Sequence, residues 1–459
     1  MKFLMKIRKT IMVAIKFLII IALALGFTNV WYTSYVETMH SLVVNYVVIA
    51  SYLLLIVLFG ELYGAFKIGV NRLHEVAYSL CLSLVFTNVI MYFELCLVAG
   101  HIVAISPFIG GFIYQIVIAI VSSYASNSIY FRLYPARRML AIFADDAEGT
   151  AIIRKMSKIP DRFNIERGVS VNRTGNDEIK NMIDSFEAVL LCDIDKTKKN
   201  ELLKYCYSKQ KRTYVLPSSA DVIIRNSDQI QIFDTPVMMC RNRGLRPEQE
   251  LIKRIVDIFV SFIGIVITSP IMLVTALAIK ICDGGPVFFK QNRVTKNGKI
   301  FNVLKFRSMV VDADKDGAKK AENNDDRITP VGKIIRPVRI DELPQFFNIL
   351  FGDMSLVGPR PERVENVYEY TEMYPDFNMR HRVKGGLTGY AQIYGKYNTS
   401  PEDKLKMDLI YIEQYSIFLD FKLLLMTIKI LFMKESTEGF DAKANANIKT
   451  KDKRKEEDI

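Results

Sequence analysis

The chain has 459 residues, half of them hydrophobic, and a formal net charge of +12. That length allows two or three domains, and the first 125 residues are far more apolar than the rest. A positive charge of this size suits nucleic acid, anionic lipid or phosphorylated substrates, but the basic residues cluster at the edges of apolar runs and no nucleic-acid-binding motif occurs, which argues against nucleic acid. Six cysteines stand at 81, 96, 192, 206, 240 and 282, none of them in a C-x-x-C pair. Their scatter argues against a disulfide framework and against a thiolate zinc site, and it fits a reducing compartment.

Four apolar runs, 12–33, 42–63, 76–99 and 102–124, each reach the roughly 20 residues that a membrane-crossing helix needs. Gly100-His101 is so short a link that the last two runs should form a tight antiparallel hairpin. Lys2, Lys6, Arg8 and Lys9 precede the first run, Lys67 and Arg72 lie in the second link, and Arg132, Arg137 and Arg138 follow the fourth. The 34–41 and 100–101 links carry no Lys or Arg. Basic residues on alternate links put the N-terminus and everything after residue 125 on the cytoplasmic side. An anchor is the plainest role for these helices. Glu94, near the outer interface, reads as solvated.

Residues 135–240 alternate in pattern. Strands are expected at 139–144, 165–171, 188–193 and 213–216, and helices at 148–157, 177–184 and 197–209. That alternation predicts a parallel, doubly wound sheet. The turn after the first strand, Ala144-Asp145-Asp146-Ala147-Glu148-Gly149, lacks the glycine-rich phosphate fingerprint and carries three acids, so it would repel a pyrophosphate. A regulatory or assembly role is the better expectation. Asp193-Ile194-Asp195 also follows a strand, as the metal-binding D-x-D of many glycosyltransferases does, but an acidic loop capping the next helix is the plainer reading.

Residues 255–281 form a fifth apolar run, long enough to span. Lys253 and Arg254 precede it, and Lys290, Arg293, Lys296, Lys299, Lys305 and Arg307 follow with no acid between 284 and 311, so both ends call for the cytoplasmic face. Ser269-Pro270 sits in its middle. Proline removes a helical donor and clashes with the preceding turn, and the serine hydroxyl can satisfy a freed backbone group. A helix broken there would enter the membrane and return to the same side. The alternative is a kinked spanning helix, which would strand the C-terminal part outside the cell.

Asp341-Glu342-Leu343-Pro344 is followed by apolar Phe346, Phe347, Ile349 and Leu350 and then by Gly352. Proline belongs in a helix's first turn and glycine just past its end, so Asp341 and Glu342 should lie at or near a helix N-terminus, where the dipole keeps a carboxylate ionised and favours a nearby phosphate. In isolation such a pair would read as a cap. An aspartate can also attack phosphorus, splitting one hard displacement into two, and a hard oxygen-ligated ion such as magnesium suits carboxylate plus diphosphate. Arg360, stiffened between Pro359 and Pro361, can grip phosphate oxygens with paired donors, or it can serve as an internal salt bridge. Lys305 and Arg307 are further phosphate candidates, with anionic lipid headgroups as their other possible partners. Arg336 and Arg339 are weaker ones.

From about 250 to 433 the sequence resembles the bacterial sugar transferase family, the polyprenyl-phosphate sugar-1-phosphate transferases. The resemblance rests on an ordered series: Lys253-Arg254 with Asp257, Ser269-Pro270, Gly285-Pro286-Val287-Phe288-Phe289-Lys290-Gln291, Lys305-Phe306-Arg307-Ser308-Met309, Asp341-Glu342-Leu343-Pro344-Gln345, the run 352–361 ending Gly358-Pro359-Arg360-Pro361, and Lys384-Gly385-Gly386-Leu387-Thr388-Gly389. Four helices and a sheet domain ahead of it resemble the longer members, which start capsule, exopolysaccharide or O-antigen assembly. The resemblance implies Asp341 as nucleophile, Glu342 assisting with Mg2+, a phosphate contact at Arg360, and a UDP-sugar and undecaprenyl phosphate as substrates, with UMP released.

The expected class is therefore an α+β protein of the plasma (inner) membrane. It comprises a four-helix transmembrane bundle (1–130), a Rossmann-like α/β middle domain (135–245), and a monotopic cytoplasmic catalytic domain (250–435) with its re-entrant helix at 255–281. A disordered tail (436–459) would follow. The polar stretch 312–327 reads as a mobile loop, and 405–415 and 418–433 suit either interfacial amphipathic helices or core packing. A homo-oligomer is compatible with the sequence. Two rivals stay open: a glycosyltransferase that moves the sugar without its phosphate, and a non-enzymatic membrane scaffold. Glucose and galactose are the sugars the longer members suggest.

Overall fold

The computed structural model describes residues 2–35, 42–240, 244–311, 325–395 and 399–431. Most of the 312–327 loop and the whole 436–459 tail lie outside the described residues. The chain divides into two compact units, Met1–Pro217 and Ser218–Ile459. The first unit ends before residue 245, so the stretch 218–245, expected with the middle domain, belongs to the second.

In the first unit, α1 (Lys2–Ser34), α2 (Leu42–Tyr63), α3 (Leu73–Ala99) and α4 (Ser106–Leu133) pack each against its neighbours in sequence, and α1 also against α4. Leu23, Trp31, Tyr52 and Leu84 fill the centre. Two buried side-chain pairs cross between helices, as hydrogen bonds in apolar surroundings should: Trp31 Nε1 donates to Asn45 at 2.9 Å and Asn88 to Gln115 at 2.8 Å. The fourth helix starts at Ser106 rather than 102, because Gly100, at φ 73°, caps α3 and Pro107 opens the first turn of α4.

The sheet of this unit has four parallel strands in the order β2-β1-β3-β4. In sequence they run β1 (Arg137–Phe143), α5 (Asp146–Ser157), β2 (Phe163–Ser170), α6 (Asn176–Ser185), β3 (Ala188–Cys192), α7 (Lys196–Ser208) and β4 (Arg212–Val215). Every expected strand and helix is present within a few residues. β1 and β3 are buried along most of their length, as central parallel strands must be. Asp145 and Asp195 accept from the backbone N–H of Ala147 and Thr197 and so cap α5 and α7. Arg162, after α5, donates to the carbonyls of Val70 and Asn71 in the link between α2 and α3.

The second unit opens with α8 (Ser219–Arg225) and a hairpin of β5 (Asp228–Ile232) and β6 (Thr235–Met239). Then comes α9 (Pro247–Asp283), a 37-residue helix that is continuous through Ser269-Pro270 rather than broken there. Pro270 leaves the carbonyl of Val266 without its helical donor, and Ser269 Oγ donates to that carbonyl at 2.8 Å, so the gap is closed locally. Among the described residues five helices, α1 to α4 and α9, are long and apolar enough to cross a membrane.

Both ends of α9 are tied to the same unit. Lys253 Nζ meets Asp420 at 2.5 Å, Asp257 accepts from the Leu356 N–H at 3.0 Å, and Asp283 pairs with Arg307. Its later half, Met272, Ala276 and Ile279, packs with Phe306, Ile335 and Leu343. The opposite face leaves Phe259, Phe262, Ile267, Val274 and Leu277 exposed.

The remainder is a hairpin of β7 (Phe288–Val294) and β8 (Ile300–Phe306), then α10 (Pro330–Ile335), α11 (Gln345–Phe351), β9 (Ser355–Val357), α12 (Val364–Met373), β10 (Gly386–Thr388), α13 (Tyr390–Tyr394), α14 (Pro401–Glu413) and α15 (Ile417–Leu431). Strand β9 runs parallel to β10. The final two helices divide the two readings left open for them. Leu405, Leu409, Tyr411 and Ile412 of α14 are core residues, whereas Ile417, Phe418 and Phe421 of α15 are exposed.

Candidate active site

Asp341 and Glu342 sit in a single 3-10 turn, Ile340–Glu342, ahead of α11 and not in its first turn. Pro344 precedes α11, and Gly352 ends it at φ 93°, as its sequence position suggests. Arg254 donates to the carbonyls of Ile349 and Leu350 at 2.7 and 2.8 Å, a cation on the C-terminal carbonyls of α11. The turn is entered through Arg339, a non-glycine residue at φ 56°, a costly left-handed conformation of the kind that collects at functional sites. A seven-residue helix contributes little field; side-chain cations supply it instead.

Those cations converge on Glu342. Its Oε1 accepts from Lys305 Nζ at 2.8 Å and Arg360 Nη2 at 3.3 Å, and its Oε2 lies 3.8 Å from Arg339 Nη1. Burial alone would push this carboxyl up, but Lys305, Arg360 and Arg339 together outweigh it and hold Glu342 well below the usual carboxylate range. Asp341 is in the opposite state. Burial raises it to about 6, Glu342 beside it adds to the rise, and Lys305 and Arg336 oppose it. Among the described residues no salt bridge engages its carboxylate. Two adjacent acids are thus split into one locked anion and one carboxylate that is poised near neutrality and unpaired.

Lys305 comes from β8 and Arg360 from the Pro359-Arg360-Pro361 loop after β9. The loop lies where it does because backbones pass very close: Gly358 N–H donates to the Thr388 carbonyl and Gly386 N–H to the Pro359 carbonyl. A Cβ on Gly386 would stand 2.1 Å from the Gly358 nitrogen, so only glycine fits there. The glycines of 384–389 therefore serve chain packing behind the site.

Not every candidate joins this group. Arg307, 5% exposed, pairs with Asp283 at the end of α9, and Gly285 packs against its guanidinium. Ser269 and Pro270 belong to α9, as described above. Asp193-Ile194-Asp195 lies in the other unit, where Asp195 caps α7. Among the described residues no group of three or more His, Cys, Asp or Glu could hold a metal ion. Two adjacent carboxylates fit a magnesium that completes its oxygen shell with phosphate and water, not one held by protein alone.

Sequence reasoning missed a second layer behind the loop. Arg380 and Asp408, 2% and 1% exposed, form a salt bridge at 2.7 Å, and Glu362 pairs with Lys404 at 3.3 Å. Arg293, in sequence one of several basic residues flanking the fifth apolar run, donates to the Pro361 carbonyl at 3.0 Å. The signal for Arg380 was weak, because its partner lies 28 residues away in an unrelated helix.

Residues 248–434 match the family model described as bacterial sugar transferase. The chain is 44% identical over 188 residues to the UDP-N-acetylgalactosamine-undecaprenyl-phosphate N-acetylgalactosaminephosphotransferase of Aeromonas hydrophila, which covers 40% of this chain and 44% of that protein. It is 41% identical over 211 residues to the UDP-glucose:undecaprenyl-phosphate glucose-1-phosphate transferase of Klebsiella pneumoniae, covering 45% of each. It thus spans less than half the length of these two relatives. The uncharacterized sugar transferase EpsL of Bacillus subtilis is matched over 91% of its length, 41% of this chain, at 39% identity. Near-complete coverage of that relative decides the assignment: the chain belongs to the bacterial sugar transferase family.

Proposed function

We propose that this protein transfers a sugar 1-phosphate from a UDP-sugar to undecaprenyl phosphate at the cytoplasmic face of the plasma membrane, the step that starts a capsule, exopolysaccharide or O-antigen chain. The observation that carries this reading is the split dyad: Asp341 unpaired and poised near pH 6, next to a Glu342 locked as an anion by three cations. An Asp341 oxygen attacks the sugar-linked phosphorus. The bond from that phosphorus to the bridging oxygen breaks, and UMP leaves with the electron pair. An oxygen of the polyprenyl phosphate then attacks the same phosphorus and breaks the aspartyl–phosphorus bond. The products are the polyprenyl-diphosphate sugar and a regenerated Asp341 carboxylate.

Arg360 and Lys305 stand beside the dyad to neutralise phosphate charge that builds during each displacement. Asp341 and Glu342 would hold a magnesium ion, which when bound supplies further charge neutralisation to the diphosphate. The middle sheet, all parallel, supports a Rossmann-like domain whose acidic turn suits assembly or regulation better than dinucleotide binding.

Detergent-solubilised protein with undecaprenyl phosphate and magnesium tests the reaction against UDP-glucose, UDP-galactose and UDP-N-acetylgalactosamine. These donors follow the names of relatives, which include a galactosyl transferase of Streptococcus agalactiae. UMP formed with one donor, and lost on chelating the metal, is the expected result. UDP in its place would promote a glycosyltransferase, and no nucleotide from any donor would leave the scaffold.

The re-entrant reading of α9 draws its support from the ties of both its ends to one compact unit and from basic flanks on both sides. A membrane-impermeant maleimide should reach the exposed Cys240 and a cysteine placed at the exposed Lys299 in inverted vesicles, and neither of them in right-side-out vesicles. Labelling of the pair from opposite sides would make α9 a spanning helix.

A further inference from the structure

The Pro359-Arg360-Pro361 loop has no regular secondary structure, and its two prolines offer no N–H. Yet four successive carbonyls are each held. Pro359 accepts from Gly386 N–H at 2.9 Å, Arg360 from Arg380 Nη2 at 2.9 Å, Pro361 from Arg293 Nη1 at 3.0 Å, and Glu362 from Val294 N–H at 3.1 Å. Two of the four donors are arginine side chains, and both are themselves fixed. Arg380 bonds Asp408 Oδ2 through Nε and Nη2 at 2.8 and 2.7 Å and stacks on the Phe377 ring at 4.9 Å. Arg293 Nη2 is on Gln291 at 2.6 Å.

A fully buried ion pair is a poor source of stability, since apolar residues of similar volume do as well once desolvation is counted. Arg380 and Asp408 sit nonetheless in the core, and among the described residues the side-chain bond that leaves the pair reaches the backbone of Arg360. Among the described residues the Arg360 side chain, 40% exposed, bonds Glu342 alone, at 3.3 Å. Its aim is therefore set by its backbone.

We propose that Arg380, oriented by Asp408 and seconded by Arg293, is a positioning residue: it fixes the 359–362 backbone so that the Arg360 guanidinium meets the donor's phosphate. This rests on the assignment of Arg360 to phosphate given above. Misplacing a binding group by about 1 Å can cost on the order of 100-fold in rate, so loosening the clamp acts on kcat/KM for the UDP-sugar through Arg360 alone.

A double-mutant cycle on the full-length protein tests this, read as UMP release with the donor that turns over in the panel above. Arg380→Lys keeps a cation beside Asp408 but loses the planar fork that serves both acceptors. It should lower kcat/KM about 10-fold in the wild-type background and less than about 2-fold in Arg360→Ala, because the residue it aims is gone. Equal losses in both backgrounds would make the pair purely structural and overturn the proposal while leaving Arg360 its role. Full activity in Arg360→Ala would overturn the phosphate assignment and the positioning with it. If Arg380→Lys does not elute as folded protein on size exclusion, Arg293→Gln takes its place in the cycle. That variant releases the Pro361 carbonyl from the other side, and a loss confined to the wild-type background supports the clamp while equal losses in both overturn it.

Discussion

Asp341→Asn should reduce UMP release by on the order of 1,000-fold or more, about 4 kcal/mol in barrier, because an amide cannot form the aspartyl–phosphorus bond. The folded protein should be unharmed. Burial raises the Asp341 carboxyl from an ordinary 3.8 to about 6. A carboxyl with a raised folded value binds its proton more tightly when folded, so its contribution to stability falls as pH rises from about 4 through 6 and stays unfavourable above. A neutral asparagine escapes that penalty. Its melting temperature at pH 8 should equal or exceed that of the wild type, and the difference should vanish below pH 4. Wild-type protein given radiolabelled UDP-sugar without lipid should retain hydroxylamine-labile sugar phosphate, and Asp341→Asn should retain none. Near-normal UMP release by this variant would remove Asp341 as nucleophile, and a fall in melting temperature together with the lost activity would leave the loss uninformative, so both are measured on one preparation.

Much of the site's composition was legible because it is local. Asp341-Glu342 and Pro359-Arg360-Pro361 each present their chemistry within a few residues, and Lys305 stands out as a basic residue in the short motif Lys305-Phe306-Arg307. The alternation of 135–216 shows the four strands of the parallel sheet and the three helices between them, since buried parallel strands and amphipathic helices leave different periods in sequence. The Ser269 hydroxyl closes the gap that Pro270 opens, as the sequence suggests, and so well that the proline does not end the helix. Arg307, just past the end of β8, shares its charge with Lys305 two residues earlier, and only the fold shows that its carboxylate is Asp283, at the end of α9. Arg380 and Asp408 could not be paired from sequence at all. Their contact depends on the packing of α14 against the 375–382 turn, and a buried arginine 28 residues from its partner leaves no periodic trace.

The acid limb of the pH profile should move in opposite directions when the two neighbours of Asp341 are neutralised. In a two-step exchange kcat/KM for the UDP-sugar reports only the first displacement, so ionisation of the lipid phosphate does not intrude. That displacement needs Asp341 ionised, and the wild-type value should fall tenfold per pH unit below about 6. Lys305 lowers the Asp341 value and Glu342 raises it. Lys305→Met therefore shifts the limb to higher pH, and Glu342→Gln shifts it to lower pH. The plateau should drop in both, by about 100-fold for Glu342→Gln, because Lys305, Arg360 and Arg339 lose the anion that gathers them and repel one another across the vacated position. A merely structural Glu342 would lower the plateau without moving the limb. Shifts of the same sign in both variants would place the titrating group elsewhere, and an unmoved limb in both would mean that the ionisation limiting the first displacement belongs to neither Asp341 nor its neighbours.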